Sequence, residues 1–173
     1  MAPQKLQAGS ILPTISLPKV GGGNLQIGGA GDWKMLVVYR GKHCPICRTY
    51  LKTLDGLFDQ FKHAGTEVVA VSADPKEKAE SEAGDEGWRF AVGYDLSQDQ
   101  MRALGLYISE PRSPQETDRP FSEPALFITN PEGNSRLWMF PMRRLHDPSS
   151  IRCCPASSSF RKSIIRYGER SHD

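Results

Sequence analysis

The sequence predicts an α/β fold with a central mixed β-sheet flanked by helices, on three observations. First, two short apolar runs with paired valines, "MLVVY" (Met35 to Tyr39) and "EVVAVS" (Glu67 to Ser72), have the pattern of strands buried on both faces. Second, an amphipathic helical pattern lies between them, and strand, helix, strand in so short a span makes a parallel, right-handed unit. Third, "PALFIT" (Pro124 to Thr129) is followed by the turn "NPEG" and by "SRLWMF", which returns as an antiparallel partner.

The elements follow in order. Residues 1–34 are rich in Gly and Pro, and "LPKVGGGNLQIGG" reads as short extended pieces joined by a glycine turn. Beyond the first buried strand, Tyr50, Leu54, Leu57, Phe58 and Phe61 recur at helical spacing, which predicts one helix over 45–63 closed by Ala64-Gly65. His63 falls on its solvated end. After the second strand, Asp74-Pro75 with Glu77 predicts an N-cap, a first-turn proline and a capping acid. The helix they open, to about Ala83, is almost wholly polar, so the acidic run 77–86 reads as a solvated face. "WRFAVGYD" reads as a strand, with Trp88 in the core, and Ser97 and Gln100 open a small helix ending at Gly105. Residues 109–120 form a polar, proline-rich loop, and Trp138 and Phe140 read as core.

A chain of 173 residues is long enough for one domain with a core of its own. Residues 1–140 carry the pattern, and 141–173 form a basic tail. That tail holds seven Lys and Arg against three acids, whereas residues 1–140 hold 15 against 17. Only Phe160, Ile164 and Ile165 suggest a short helix there. The net charge of +2 without a basic stripe argues against nucleic acid, and no run reaches a membrane span. The first residues lack the apolar segment of a secretory leader, so the expected location is cytoplasmic. In that compartment a close cysteine pair is catalytic or metal-binding rather than a structural staple.

That pair lies in "KHCPICRT", where Cys44 falls at the N-cap and Cys47 in the first turn, with Pro45 suited to the first helical position. The positive end of the helix dipole stabilises an anion there by about 0.3–1 kcal/mol, and about 2 kcal/mol when partly buried. This lowers a thiol pKa by about one unit, and His43 and Arg48 add positive neighbours. Three readings are open. The thiols are packing residues, or half of a zinc site completed by Cys153, Cys154 or His146, or a redox couple. A CxxC beside a strand–helix–strand unit favours the redox couple, with an exposed Cys44 attacking and Cys47 closing the disulfide.

"AGSILPTISLP", "MLVVYRGKHCPICRTYL" and "FSEPALFITNPEG" make roughly residues 8–140 resemble the thioredoxin fold, and within it the peroxiredoxin-like AhpC/TSA group. The resemblance implies a thioredoxin-like fold with the active cysteine at the start of the first main helix. It also implies a cis-proline before the late strand, matched by Pro124. A thiol reductant of thioredoxin or glutathione type, and an oxidised protein or a peroxide as substrate, follow from it. No cofactor or metal is implied, and a homodimer is compatible with it.

The chain departs from the group at three points. The peroxiredoxin pattern (proline, three residues, threonine, two residues, cysteine) places Cys47 at the peroxidatic position, Cys44 at the threonine and Arg40 at the proline. The arginine that precedes the late strand in the group is replaced by Pro124. The tail lacks the amphipathic closing helix of such a fold, which leaves either a short helix near 157–167 or a tail foreign to it. The expected function is a thiol–disulfide oxidoreductase and antioxidant using Cys44 and Cys47, supported by His43, Arg48, Arg40 and Pro124. The alternative is a thioredoxin-fold binding module without catalysis, with zinc on the CxxC as a variant.

Overall fold

The computed structural model describes residues 6 and 9–139 of the chain. The tail, with Cys153, Cys154, His146 and Phe140, lies outside the described residues, as does the side chain of Trp138.

The chain begins with a hairpin. Strands β1 (Ile15–Pro18) and β2 (Asn24–Ile27) pair antiparallel. Their turn uses Gly21, Gly22 and Gly23 at φ of +82, +94 and +77°, where side chains are disfavoured. Strand β3 (Trp33–Val38) leads into helices α1 (Pro45–Gly56) and α2 (Phe58–His63), then strand β4 (Thr66–Val71). Helix α3 (Lys76–Glu86), strand β5 (Ala91–Gly93) and helix α4 (Gln98–Ala103) follow. Short strands β6 (Ile108–Ser109) and β7 (Phe121–Ser122) pair with each other, and β8 (Ala125–Thr129) and β9 (Ser135–Met139) end the described chain.

The main sheet has the order β5-β4-β3-β8-β9, with β3 parallel to β4 and antiparallel to β8. The mixed sheet expected from the sequence is therefore present. Alternation along β3 divides its residues between two cores. Met35, Val37 and Tyr39 join Cys44, Cys47, Tyr50, Leu51 and Leu54 beneath α1. Leu36 and Val38 join Leu17, Leu25 and Ile27 of the hairpin and Met101 of α4 on the other face. Ser97 and Gln100 open α4 as expected, and they do so as a capping box.

Three expectations need correction. The helix over 45–63 is divided at Gly56, a poor helix former, and Leu57 closes α1 by donating to Leu54 O at 3.0 Å. Asp74 does not cap α3, whose start has no side-chain cap. Its carboxylate is turned inward and accepts the Lys42 N–H at 2.6 Å. The run 77–86 is not wholly solvated, because α3 turns Ala79 and Glu82 inward, at 0% and 1% exposure. Trp88 is half-buried and stacks on Phe90, as expected of a core residue. His63 ends α2 with Nδ1 2.6 Å from Asp59 O, also as expected.

Candidate active site

The site is built where β3 ends. Tyr39 continues the strand by donating to Val71 O at 3.0 Å, and the chain then turns through Gly41 at φ +123°. A Cβ on Gly41 would stand 2.5 Å from the Asp74 carboxylate, so only glycine lets this loop lie on that carboxylate. The Cys44 N–H donates to Gly41 O at 3.0 Å and closes the turn. Cys44 is the extended N-cap of α1, Pro45 starts the helix, and the Cys44 sulfur accepts the Cys47 N–H at 3.2 Å. The two sulfurs lie at disulfide-bonding distance, with Cα atoms 5.3 Å apart.

The placement at the helix N-terminus is as the sequence predicts, but the exposure is not. Cys44 and Cys47 are each 3% exposed and belong to one core cluster. The turn onto Gly41 O and onto the Cys47 N–H draws the cap residue inward, so exposure does not rank the two sulfurs. Cys47, Tyr39, Tyr50, Pro124 and Leu126 line an apolar cleft of about 10 Å³, room for about one water.

The supporting residues divide. Pro124 does face Cys47 across this cleft. Among the described residues no peptide bond is cis, so Pro124 follows Glu123 in the trans form. The chain runs from β7 to β8 without a turn there, and a tight turn is what a cis proline serves. His43 adds no positive charge: burial lowers its pKa from the usual 6.5, with Asp74 opposing, so it is neutral at pH 7. Its ring packs on Phe121 with centroids 4.7 Å apart, and neither nitrogen has a hydrogen-bond partner.

Arg40 is held by Glu123, with Nε–Oε2 at 3.0 Å and Nη2–Oε1 at 2.8 Å, and Ser109 donates to the same carboxylate at 2.6 Å. Arg48 donates to Lys42 O at 3.1 Å and pairs with Glu82 and Glu86, each 3.6 Å from its Nε.

The sequence reading missed Asp74, Glu82 and Glu123 as parts of this site. Glu82 had a signal: it shares the helical spacing of Ala79 and Ala83, which marks the inner face of α3. Burial first, then Asp74, pushes its carboxyl up to about 7 against the pull of Arg48. Burial likewise raises Asp74, with the Lys42 N–H opposing. The Tyr39 hydroxyl faces Glu82 and Ser72 without a hydrogen bond of good geometry, and burial pushes its pKa upward.

A strand, a capped helix bearing two sulfurs within bonding distance, and a proline-led strand beside them define a thioredoxin-fold dithiol protein. The chain belongs to the AhpC/TSA family, whose model matches residues 8–136. Membership supports a thiol-dependent oxidoreductase role in general terms. Solved structures similar to this chain include the following three. A peroxiredoxin-like protein from Aquifex aeolicus is 20% identical, with 81% of this chain and 80% of that one covered and a TM-score of 0.69.

A mutant of peroxiredoxin 6 from Arenicola marina is 21% identical, over 84% of this chain and 70% of its own, with a TM-score of 0.66. Peroxidoxin BcpB from Mycobacterium tuberculosis is 15% identical, over 86% and 97%, with a TM-score of 0.67. Comparison with curated proteins gives no match.

Among the described residues no group of three His, Cys, Asp or Glu is arranged to hold a metal. The further ligands that a zinc site on the CxxC would need, Cys153, Cys154 or His146, lie outside the described residues. Nor is any helix of the described chain long and apolar enough to cross a membrane.

Proposed function

We propose that the protein is a dithiol oxidoreductase in which Cys44 and Cys47 cycle between thiols and a disulfide to reduce a protein disulfide or a peroxide. The observation that carries this reading is the pair of sulfurs within bonding distance at the start of α1. Cys44 is the attacking sulfur, because its own sulfur accepts a helix N-terminal N–H, which favours the thiolate. On a disulfide substrate the Cys44 thiolate forms a mixed disulfide and releases one substrate thiolate. Cys47, once deprotonated, then attacks the Cys44 sulfur and releases the other. On a peroxide, Cys44 takes the distal oxygen as a sulfenic acid while the alcohol or water departs with a proton. Cys47 displaces that oxygen as water.

Either route leaves the Cys44–Cys47 disulfide, and two electrons from a thiol reductant of thioredoxin or glutathione type restore the dithiol. The proposed domain is 1–140 with 141–173 as its appendage, and the proposed setting is the reducing cytoplasm. There a close pair of this kind turns over rather than serving as a staple.

Mild oxidation followed by mass spectrometry tests the reading. A loss of two hydrogens confined to the peptide that holds both cysteines is expected, together with turnover of insulin disulfide or hydrogen peroxide under a thiol reductant. Two free thiols after oxidation, with neither substrate consumed, point instead to a binding module that has kept the fold and lost the chemistry.

A further inference from the structure

We propose that the buried Glu82 carboxylate acts through Arg48 as a switchable counter-charge that sets the redox potential of the Cys44–Cys47 couple. The inference rests on the dithiol reading above and names a residue that regulates the same site.

The geometry begins with a carboxylate in an unusual setting. Glu82 is 1% exposed, yet neither of its oxygens has a hydrogen bond. Buried carboxylates are ordinarily neutral or well supplied with donors. Three segments outside α3 bring it a charged or titratable group. From α1 comes Arg48, with Nε 3.6 Å from Oε1; from the end of β3 comes the Tyr39 hydroxyl; from the loop before α3 comes Asp74. On α3 itself Glu86 shares the same Arg48 nitrogen at 3.6 Å.

Arg48 is the link to the sulfurs. It follows Cys47 directly in α1, and its Nη2 holds the carbonyl of Lys42, two residues before Cys44. One guanidinium therefore spans the loop and the helix that carry the two sulfurs, and its other side meets Glu82.

The disulfide carries no charge, whereas the reduced pair with one thiolate is an anion. A positive Arg48 favours the reduced state, and an ionised Glu82 cancels that positive charge. A protonated Glu82 leaves it intact. The carboxyl sits at about 7, so the switch lies within the neutral range. Glu82 is thus a positioning residue for charge, acting on the sulfurs by way of Arg48.

The test equilibrates the full chain and its Glu82→Gln variant with mixtures of reduced and oxidised dithiothreitol between pH 6 and 8.5. As the Cys44–Cys47 bond breaks, a ring disulfide forms in dithiothreitol, with two electrons and two hydrogens passing between them. The fraction oxidised is read by alkylation and mass spectrometry of the peptide holding both cysteines. At pH 6, where Glu82 is largely protonated, the two curves coincide. At pH 8 the variant favours the dithiol by roughly tenfold, equivalent to about one unit in a thiol pKa.

Superimposed curves at pH 8, or an equal offset at every pH, overturn the inference. A wild-type chain that shows no two-electron titration overturns the dithiol reading itself, and this inference falls with it. Should the variant not fold, carbon-13 NMR of Glu82 in the unmutated chain decides the matter. Its titration midpoint is higher in the dithiol form than in the disulfide form, by the reciprocity of linked equilibria. Equal midpoints in the two forms also overturn it.

Discussion

Arg40 and Glu123 meet in a two-pronged salt bridge that joins the end of β3 to the residue before Pro124. Both side chains are about three-quarters buried, and Arg40 also lies 5.1 Å over the Phe121 ring. The contact fixes the wall that faces Cys47.

Glu123→Gln is accordingly expected to lower unfolding free energy by about 1–3 kcal/mol, as for a hydrogen bond to a charged group. Burial works to raise the Glu123 pKa, but the hydrogen bonds from Arg40 and Ser109 outweigh it and hold the carboxyl below its usual 4.5. A depressed carboxyl contributes stability above its unfolded value and loses it as pH falls through the folded one. Urea titrations at pH 7 and pH 3 check this: the deficit of the variant shrinks in acid.

Gly41→Ala is expected to cost about 1–3 kcal/mol, since φ +123° and the Asp74 carboxylate leave no room for a methyl group. Thermal melting gives the loss. Amide exchange gives its origin, because the Lys42 N–H should lose protection as its bond to Asp74 opens. Unchanged exchange at Lys42 in the variant means that Asp74 does not tether the loop.

Glu82→Gln is expected to stabilise the fold at high pH. The folded carboxyl, at about 7, lies above its unfolded value of 4.5, so folding takes up a proton in that window. Wild-type stability therefore falls as pH rises through it, by roughly 3 kcal/mol in all. The glutamine variant escapes this loss. Denaturation at pH 8 should favour the variant, with the gap closing below pH 5.

Cys47→Ser is expected to trap a mixed disulfide on Cys44, while Cys44→Ser abolishes turnover. Gel shift with a labelled disulfide substrate checks the first and steady-state assays the second. A Cys44→Ser protein that still forms sulfenic acid rapidly at Cys47 reverses the assignment of the attacking sulfur.

The hairpin, the strand–helix–strand unit and the start of α4 were legible because each rests on spacing and turn residues along a continuous stretch of chain. The N-cap place of Cys44 was legible for the same reason, from Pro45 and the start of apolar spacing. The burial of Cys44 was not, because the core that encloses it draws on Val68, Val92 and Leu126 from strands far along the chain. Glu123 meets Arg40 across 83 residues, and Asp74 meets the Lys42 N–H across 32. Periodicity tells which face a residue takes, but not what waits there. The acidic run misled because its five acids look alike as composition, whereas Glu82, at the spacing of Ala79 and Ala83, is the one among them that is fully buried. Pro124 was placed by its position before β8, and its peptide geometry is not written in that position.

The two strands that flank β3 join it on different timetables. β4 is brought alongside directly after α1 and α2, and Cys44 and Cys47 are only three residues apart. β8 must return from the far end of the domain to pair with β3 and close over Cys47. Long loops are slow to close, and non-local pairings are the late events of folding. The newly made chain therefore carries both sulfurs before β8 closes over Cys47, so the wall that carries Pro124 is the last part of the site to be put in place.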